Sequence, residues 1–251
     1  MHRFFLPPGK CQGFTLTLEE QESHHATVVL RLRTGEEVSV LDGNGVVLRC
    51  VVRSIRKKSV QLEVQEKGQV SPLPYKITLL QAVPKAKLIE SIIQKATELG
   101  VDRVVPLLTE RVNTQLDDEQ AASKAEKWQR VAVEAIKQSG CAWLPRIEAL
   151  MSLQTFLESG ERFDLSLIAS LLPGSRHPRE YFQSFRAEHR RRPKSVAVWI
   201  GPEGDFTPEE VEAVIKSGAR PISLGRQVLR CETAATYCLS VINYELQAPL
   251  D

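Results

Sequence analysis

Apolar and polar positions alternate in short runs through the first seventy residues. GFTLTL (13–18), VSVLDGNGVVLRCVVRSI (38–55) and SVQLEVQE (59–66) each carry the period of two expected of half-buried strands. Asp42-Gly43-Asn44-Gly45 interrupts the second run and is a strong hairpin-turn signal. Several short strands in so little chain predict a small barrel or barrel-like sheet. SHHATVVLRL (23–32) fits both periods, beginning as a helix and ending as a strand.

The texture changes at GQVSPLPY (68–75), where Gly68, Pro72 and Pro74 read as a linker. Residues 1–72 and 73–251 are therefore expected to form separate domains. Beyond the linker, buried strands alternate with amphipathic helices. Strands are expected at KITLLQAV (76–83), RVVPLLT (103–109), DLSLIAS (164–170), SVAVWIG (195–201) and PISLG (221–225). KLIESIIQKATELG (87–100) has apolar residues at helical spacing and ends in Gly100. Further helices are expected over 118–139 and 233–246. This rhythm predicts an α/β domain with a mostly parallel sheet covered on both faces.

Two strand-to-helix loops concentrate candidate chemistry. In WIGPEGDFTPEE (199–210), Gly201 and Gly204 permit close backbone approach, and Thr207, Pro208 and Glu210 form a capping box with proline at the first helical position. In GRQVLRCET (225–233), Arg226, Arg230, Glu232 and Thr233 lie close together. Arg230 and Glu232 could also simply pair with each other, or cap the last helix. Both loops leave the carboxyl end of a strand, where open α/β sheets bind ligands. No GK[ST] follows the glycines and GxGxxG is absent, so neither a P-loop nor a dinucleotide fingerprint is supported. Carboxylates at Glu203 and Asp205 disfavour phosphate. A ligand with an adenine and a sulfonium-bearing amino acid suits the loops better, which favours S-adenosylmethionine over ATP.

Composition narrows the classes. The chain has 251 residues, 42% apolar and 25% charged, with a net charge of +2. That balance suits a soluble globular protein and does not by itself declare a nucleic-acid binder. Five scattered cysteines without a CxxC pair argue against structural zinc and for a reducing, cytoplasmic compartment. MHRFFLPPGK lacks the apolar core of a signal peptide, and no run is long enough to span a membrane. His24 and His25 have no third ligand near in sequence, so packing or RNA contact is expected of them rather than metal. Cys231 lacks a histidine at readable spacing and is expected to be a small buried thiol. The basic run RAEHRRRPK (186–194) is either a solvated helix end or a phosphate-binding edge.

GPEGDFTPEEVEAVIKSGARPISLGRQVLRCETAA (201–235) resembles the C-terminal signature of the RsmE-type ribosomal RNA methyltransferases, of the SPOUT group. MHRFF, the H-x-x-x-V-L-R-L run near 25–32, KATELGV with VPLLTERV (95–112), and WQRVAVEAIKQSGCAWLPRIE (128–148) extend the resemblance over nearly the whole chain. It implies a C-terminal α/β domain knotted as a trefoil, an N-terminal PUA-like β-barrel that grips RNA, and a homodimer. It implies S-adenosylmethionine-dependent methylation of N3 of a uridine in small-subunit (16S) ribosomal RNA. The residue pattern itself leads to the expectation of no metal and no membrane. Cofactor contacts are then expected from Leu171, Leu172 and Pro173; from Ile200, Gly201, Pro202, Glu203 and Gly204; and from Ser223, Leu224, Gly225, Val228, Leu229, Arg230, Glu232, Thr233 and Ala234. Arg230 and Glu203 are the expected reaction-centre residues, because the uracil imide must lose a proton and its anion must be stabilised. Arg3, Phe4, Arg31 and Arg33 are the RNA candidates, by phosphate contact and base stacking. The family usually has glycine where this chain has Asp205, which suits a left-handed backbone better than most residues. A non-catalytic ribosome-assembly factor and a ribose 2′-O-methyltransferase of the same fold are the alternatives.

Overall fold

The computed structural model describes residues 1–56, 58–85, 88–112 and 118–247, with the side chains of residues 20 and 118–120 left aside. Lys87, where the first long helix was expected to begin, lies outside them. Packing divides the chain into two units, Met1–Pro72 with Val133–Leu144, and Leu73–Ala132 with Pro145–Asp251.

The first unit is built on a five-stranded sheet. In chain order its strands are β1 (His2–Phe5), β2 (Thr15–Glu19), β3 (Glu37–Leu41), β4 (Val46–Arg56) and β5 (Ser59–Gln69), ordered in space β1-β3-β4-β5-β2. β1 pairs β3 in parallel and the other pairings are antiparallel. Two register shifts interrupt the long β4–β5 ladder, at Arg49/Cys50 and Val52/Ser54, and such bulges bend a ribbon. Phe4, Leu16, Leu18, Val38, Val40, Leu48, Val52, Val60 and Leu62 form the core, as the alternation predicts.

The β3–β4 turn is fixed by Asp42, whose Oδ1 accepts from Asn44 N (2.7 Å) and Val46 N (2.9 Å). Gly45 has φ of 91°, and a Cβ there would come within 2.6 Å of Trp143. Only glycine fits both demands. Residues 20–29 form a short helix, α1 (Glu20–His24), continued by a π-helical turn (His25–Val29). The strand expected at the end of SHHATVVLRL does not form. Arg31 turns the chain with φ of 54° instead.

The second unit is an α/β layer structure. Its sheet has the order β12 (Arg220–Ile222), β10 (Leu165–Ala169), β11 (Ser195–Ile200), β6 (Lys76–Ala82), β7 (Arg103–Leu108) and β8 (Arg146–Ile147), with β9 (Met151–Ser152) also pairing β7. Every recorded pairing in it is parallel. Alternate residues on both sides are buried: Leu80, Val105, Ile168 and Trp199 pack with α4 (Leu153–Glu158) and α6 (Pro208–Lys216). Ile77, Leu79, Val104, Leu167 and Val198, at the opposite parity, are equally buried. This two-sided burial explains why the strands read as continuous apolar runs. The remaining helices are α2 (Leu88–Glu98), α3 (Asp118–Ser139), α5 (Pro178–His189) and α7 (Cys231–Gln247). Among the described residues no helix is long and apolar enough to cross a membrane.

The basic run resolves into structural contacts. Arg191 forks onto Asp164 at 2.7 and 2.9 Å and lies 5.2 Å from the centre of the Phe185 ring. Those bonds hold the Asp164 carboxyl well below its ordinary range, with Lys194 N (2.6 Å) as a further donor. Arg192 donates to Leu246 O, and Arg186 approaches the buried Glu245 at 3.9 Å. These contacts fasten the segment leading into β11.

Candidate active site

Three loops leave the carboxyl ends of three adjacent parallel strands, β12, β10 and β11. Together they enclose a cavity of about 760 Å³. Cavities of that size hold cofactor-sized ligands. Leu171 and Leu172 stand on the loop after β10, Ile200, Gly201, Pro202 and Glu203 on the loop after β11, and Ser223, Leu224, Gly225, Val228, Leu229 and Arg230 on the loop after β12. Glu232 and Ala234, in the first turn of α7, also line it. Pro173, Gly204 and Thr233 do not line the cavity. Leu88, Ala169, Ser170, Gly174, Ser175, Asp205, Gln227 and Cys231 do. Several of these are sequence neighbours of expected residues, whereas Leu88 comes from a different helix and gave no local signal.

The loop after β11 is held from both sides. Pro202 O accepts from Asp205 N (2.9 Å), closing a tight turn, and Asp205 has φ of 60°. Its Oδ1 accepts from Phe206 N (2.8 Å) and sits where a Cβ on Gly201 would come within 2.7 Å. Gly201 is thus required by close approach. The capping box forms as its spacing predicts: Thr207 Oγ1 accepts from Glu210 N (3.2 Å) and Glu210 Oε2 from Thr207 N (2.9 Å).

Neighbouring loops brace this wall. Both Glu203 oxygens accept from Lys85 N, at 3.0 and 3.2 Å, so this carboxylate spans 118 residues of sequence to fasten the loop after β6. Arg111 donates to Gly204 O, and its side chain packs within 3.3 Å of where a Gly204 Cβ would stand. Glu210 Oε1 accepts from Glu110 N at 2.8 Å. Gly204 therefore serves the cavity from behind, by admitting Arg111.

Among the described residues Arg230 and Glu232 form no ion pair. Arg230 is exposed at the cavity, and its carbonyl accepts the first helical bond of α7, from Ala234 N (2.8 Å). Glu232 instead accepts from Cys231 Sγ at 3.4 Å. Burial first, then Glu232 and Glu203, push the Cys231 thiol up to about 12. It remains protonated near neutrality and is a poor nucleophile.

The expected RNA residues separate into two pairs. Phe4 has no exposed surface: its ring is core, packed edge-on to His25, and is not presented for stacking. Arg3 donates to Lys137 O (3.2 Å) and Gln138 O (3.0 Å), and its guanidinium lies against Gly140. It closes the carboxyl end of α3, where unpaired carbonyls favour a cation. Arg31 and Arg33 are exposed.

The walls suit S-adenosylmethionine. Leucine and valine side chains can flank a base, backbone groups are available to its edge, and the carboxylates oppose phosphate. Comparisons with known proteins agree. A family model described as an RNA methyltransferase domain matches residues 71–243, and one described as an RNA methyltransferase PUA domain matches residues 18–65. The chain is 31% identical to a Bacillus subtilis protein named ribosomal RNA small subunit methyltransferase E, over 98% of both chains. It is 34% identical to the protein of that name from Synechocystis, covering 98% of this chain and 78% of the relative. A methyltransferase from Legionella pneumophila, solved with its cofactor SAM, superposes with a TM-score of 0.86 at 33% identity over 96% of both chains. The small subunit methyltransferase E of Neisseria gonorrhoeae, bound to S-adenosyl methionine, gives 0.83 at 25% identity over 96% of both chains.

Proposed function

From the chain's membership of the RNA methyltransferase family, we propose that it is an S-adenosylmethionine-dependent enzyme that methylates N3 of one uridine in 16S ribosomal RNA of the small subunit. The observation that carries this reading is the three-loop cavity at the carboxyl ends of β10, β11 and β12. When bound, S-adenosylmethionine supplies a methyl group on a positively charged sulfur. Leu171, Leu172, Val228 and Leu229 would give it apolar contacts, and the backbone groups of the loop after β11 would hold its polar parts.

Arg230 and Glu203 serve the uridine. N3 of uracil is an imide N–H and must lose its proton to become nucleophilic. A carboxylate has about four acceptor sites, so Glu203 keeps lone pairs for that proton while held by Lys85 N. Arg230, a cation at the cavity, serves to stabilise the charge that develops on the uracil oxygens. Residues 1–72 form the PUA-like RNA-binding domain, with Arg31 and Arg33 on phosphates. Residues 73–251 form the SPOUT domain, whose returning loop after β12 makes the trefoil.

The enzyme works in the cytoplasm as a homodimer. Tyr237 and Tyr244 support that pairing: they are spaced seven apart along α7 and are 40% and 72% exposed. Leu171 and Val228, 67% and 76% exposed at the cavity rim, add apolar surface for ligand or partner.

The test uses labelled S-adenosylmethionine with purified small subunits and with free RNA, followed by mass spectrometry of the digested nucleosides. The expected product is 3-methyluridine, and Arg230→Ala abolishes it without unfolding the protein. Methyl on a ribose 2′-oxygen would establish the other enzyme class. Tight RNA binding without transfer would establish an assembly factor.

A further inference from the structure

We infer that Asp205 makes the cavity discriminate by charge, favouring S-adenosylmethionine over its neutral product S-adenosylhomocysteine. This rests on the cofactor reading above. In the transfer the sulfur–methyl bond breaks and a carbon–nitrogen bond forms. The sulfonium becomes a neutral thioether, and the N3 proton leaves to a base. The ligand thereby loses a methyl group and one unit of positive charge, and a charged wall separates the two forms by that charge.

The wall carries three carboxylates, Glu203, Asp205 and Glu232, against one guanidinium, Arg230. Among the described residues none of the three is in an ion pair, so their charge is not cancelled locally. Two further cationic residues touch the same loop from behind, Lys85 through its backbone N–H and Arg111 through Gly204 O, and neither lines the cavity.

Of the three carboxylates, Asp205 has an oxygen, Oδ2, left over for a ligand after its single bond from the next residue, Phe206 N. Glu203 fastens the loop after β6, and Glu232 accepts from Cys231. Asp205 sits at φ of 60°, a left-handed backbone that glycine adopts without the strain a side chain brings. The turn would close with glycine there, as Pro202 O takes the backbone N–H of that residue. What aspartate adds is a half-buried carboxylate in the cavity wall. Its Oδ1 is fixed by Phe206 N, and Oδ2 has no protein partner among the described residues. Gly201 supplies the space that lets this carboxylate fold over the end of β11.

The experiment is binding calorimetry with three probes. They are S-adenosylmethionine, S-adenosylhomocysteine, and sinefungin, which bears an ammonium near the sulfonium position. Asp205→Asn is the informative variant, since asparagine keeps the acceptor for Phe206 N and tolerates a left-handed backbone. One charge within roughly 10 Å at an effective dielectric near 25 corresponds to about a tenfold change in affinity. Asp205→Asn is therefore expected to weaken S-adenosylmethionine and sinefungin about tenfold and to leave S-adenosylhomocysteine within about twofold. Asp205→Gly should do the same, and covers the case in which the asparagine variant folds poorly. Glu209→Gln, an exposed charge in the first turn of α6 outside the cavity, should change none of the three. Equal weakening of all three ligands, or none, overturns the role of Asp205 while leaving the cofactor assignment intact. A wild-type protein that binds none of the three overturns both.

Discussion

Glu210 is expected to matter more than a capping residue should. Its two oxygens serve different masters: Oε2 completes the box with Thr207 N, and Oε1 takes Glu110 N from the loop after β7. Hydrogen bonds to a charged group contribute about 1.5–3 kcal/mol each, and half-burial places these near the lower end. Glu210→Ala should therefore cost about 3 kcal/mol. Thr207→Ala removes one cap bond and should cost about 1 kcal/mol. At roughly 2–4 °C per kcal/mol for a domain of this size, the midpoints of ligand-free protein should fall by about 6–12 °C and 2–4 °C. Glu210→Gln keeps acceptor capacity for one N–H and should lie between them. Differential scanning calorimetry reads all three, and cofactor titration reads the consequence. Freeing Glu110 loosens Arg111, which braces Gly204, so Glu210→Ala should also weaken cofactor binding severalfold. If Glu210→Ala is no more damaging than Thr207→Ala in either measurement, the inter-loop tie contributes nothing and the reasoning is refuted.

Gly201→Ala should cut cofactor affinity at least tenfold in calorimetry, because its Cβ would stand 2.7 Å from Asp205 Oδ1 and 3.2 Å from Phe206 N. Asp164 should leave a signature in acid. Its folded carboxyl is held below the ordinary value, so its stabilisation is complete above about pH 4 and is lost as pH falls further. Asp164→Asn should flatten the urea midpoint against pH in that acid range while lowering it at neutral pH. Iodoacetamide at pH 7.5 should label Cys141, which is half-buried, well before Cys231, whose thiol is pushed up to about 12, as peptide mass spectrometry would show. Substituting both Arg31 and Arg33 by alanine should weaken RNA binding uniformly across sequences. It should also reduce the salt slope of binding by about one to two units, read from filter binding at several salt concentrations.

The sequence disclosed what local backbone demands disclose. Short apolar runs located β10 and β11, the T-x-x-E spacing located the start of α6, and the absence of phosphate fingerprints narrowed the ligand. It left unread the contacts that close over long separations. HRFF has two adjacent aromatics, and only the register Phe4↔Val40, set by parallel pairing with β3, turns Phe4 into the core. Arg3 looked available for phosphate because the carbonyls it meets lie more than 130 residues away. The two-residue strands β8 and β9 are too short to carry a period at all.

The same division runs through the candidate site. Every loop that lines the cavity is adjacent to a strand the pattern had found, so the lining was largely readable one residue at a time. Its rigidity was not, because each brace joins atoms about 90 to 120 residues apart: Glu203 to Lys85, Arg111 to Gly204, Glu210 to Glu110. Local spacing could announce Glu210 only as a helix cap, although a carboxylate has more acceptor sites than a capping box uses. The spare oxygen is where the fold adds a constraint that the local motif does not contain. Residues read as local punctuation in this loop should therefore show effects on ligand binding out of proportion to their effects on the helix or turn they appear to serve.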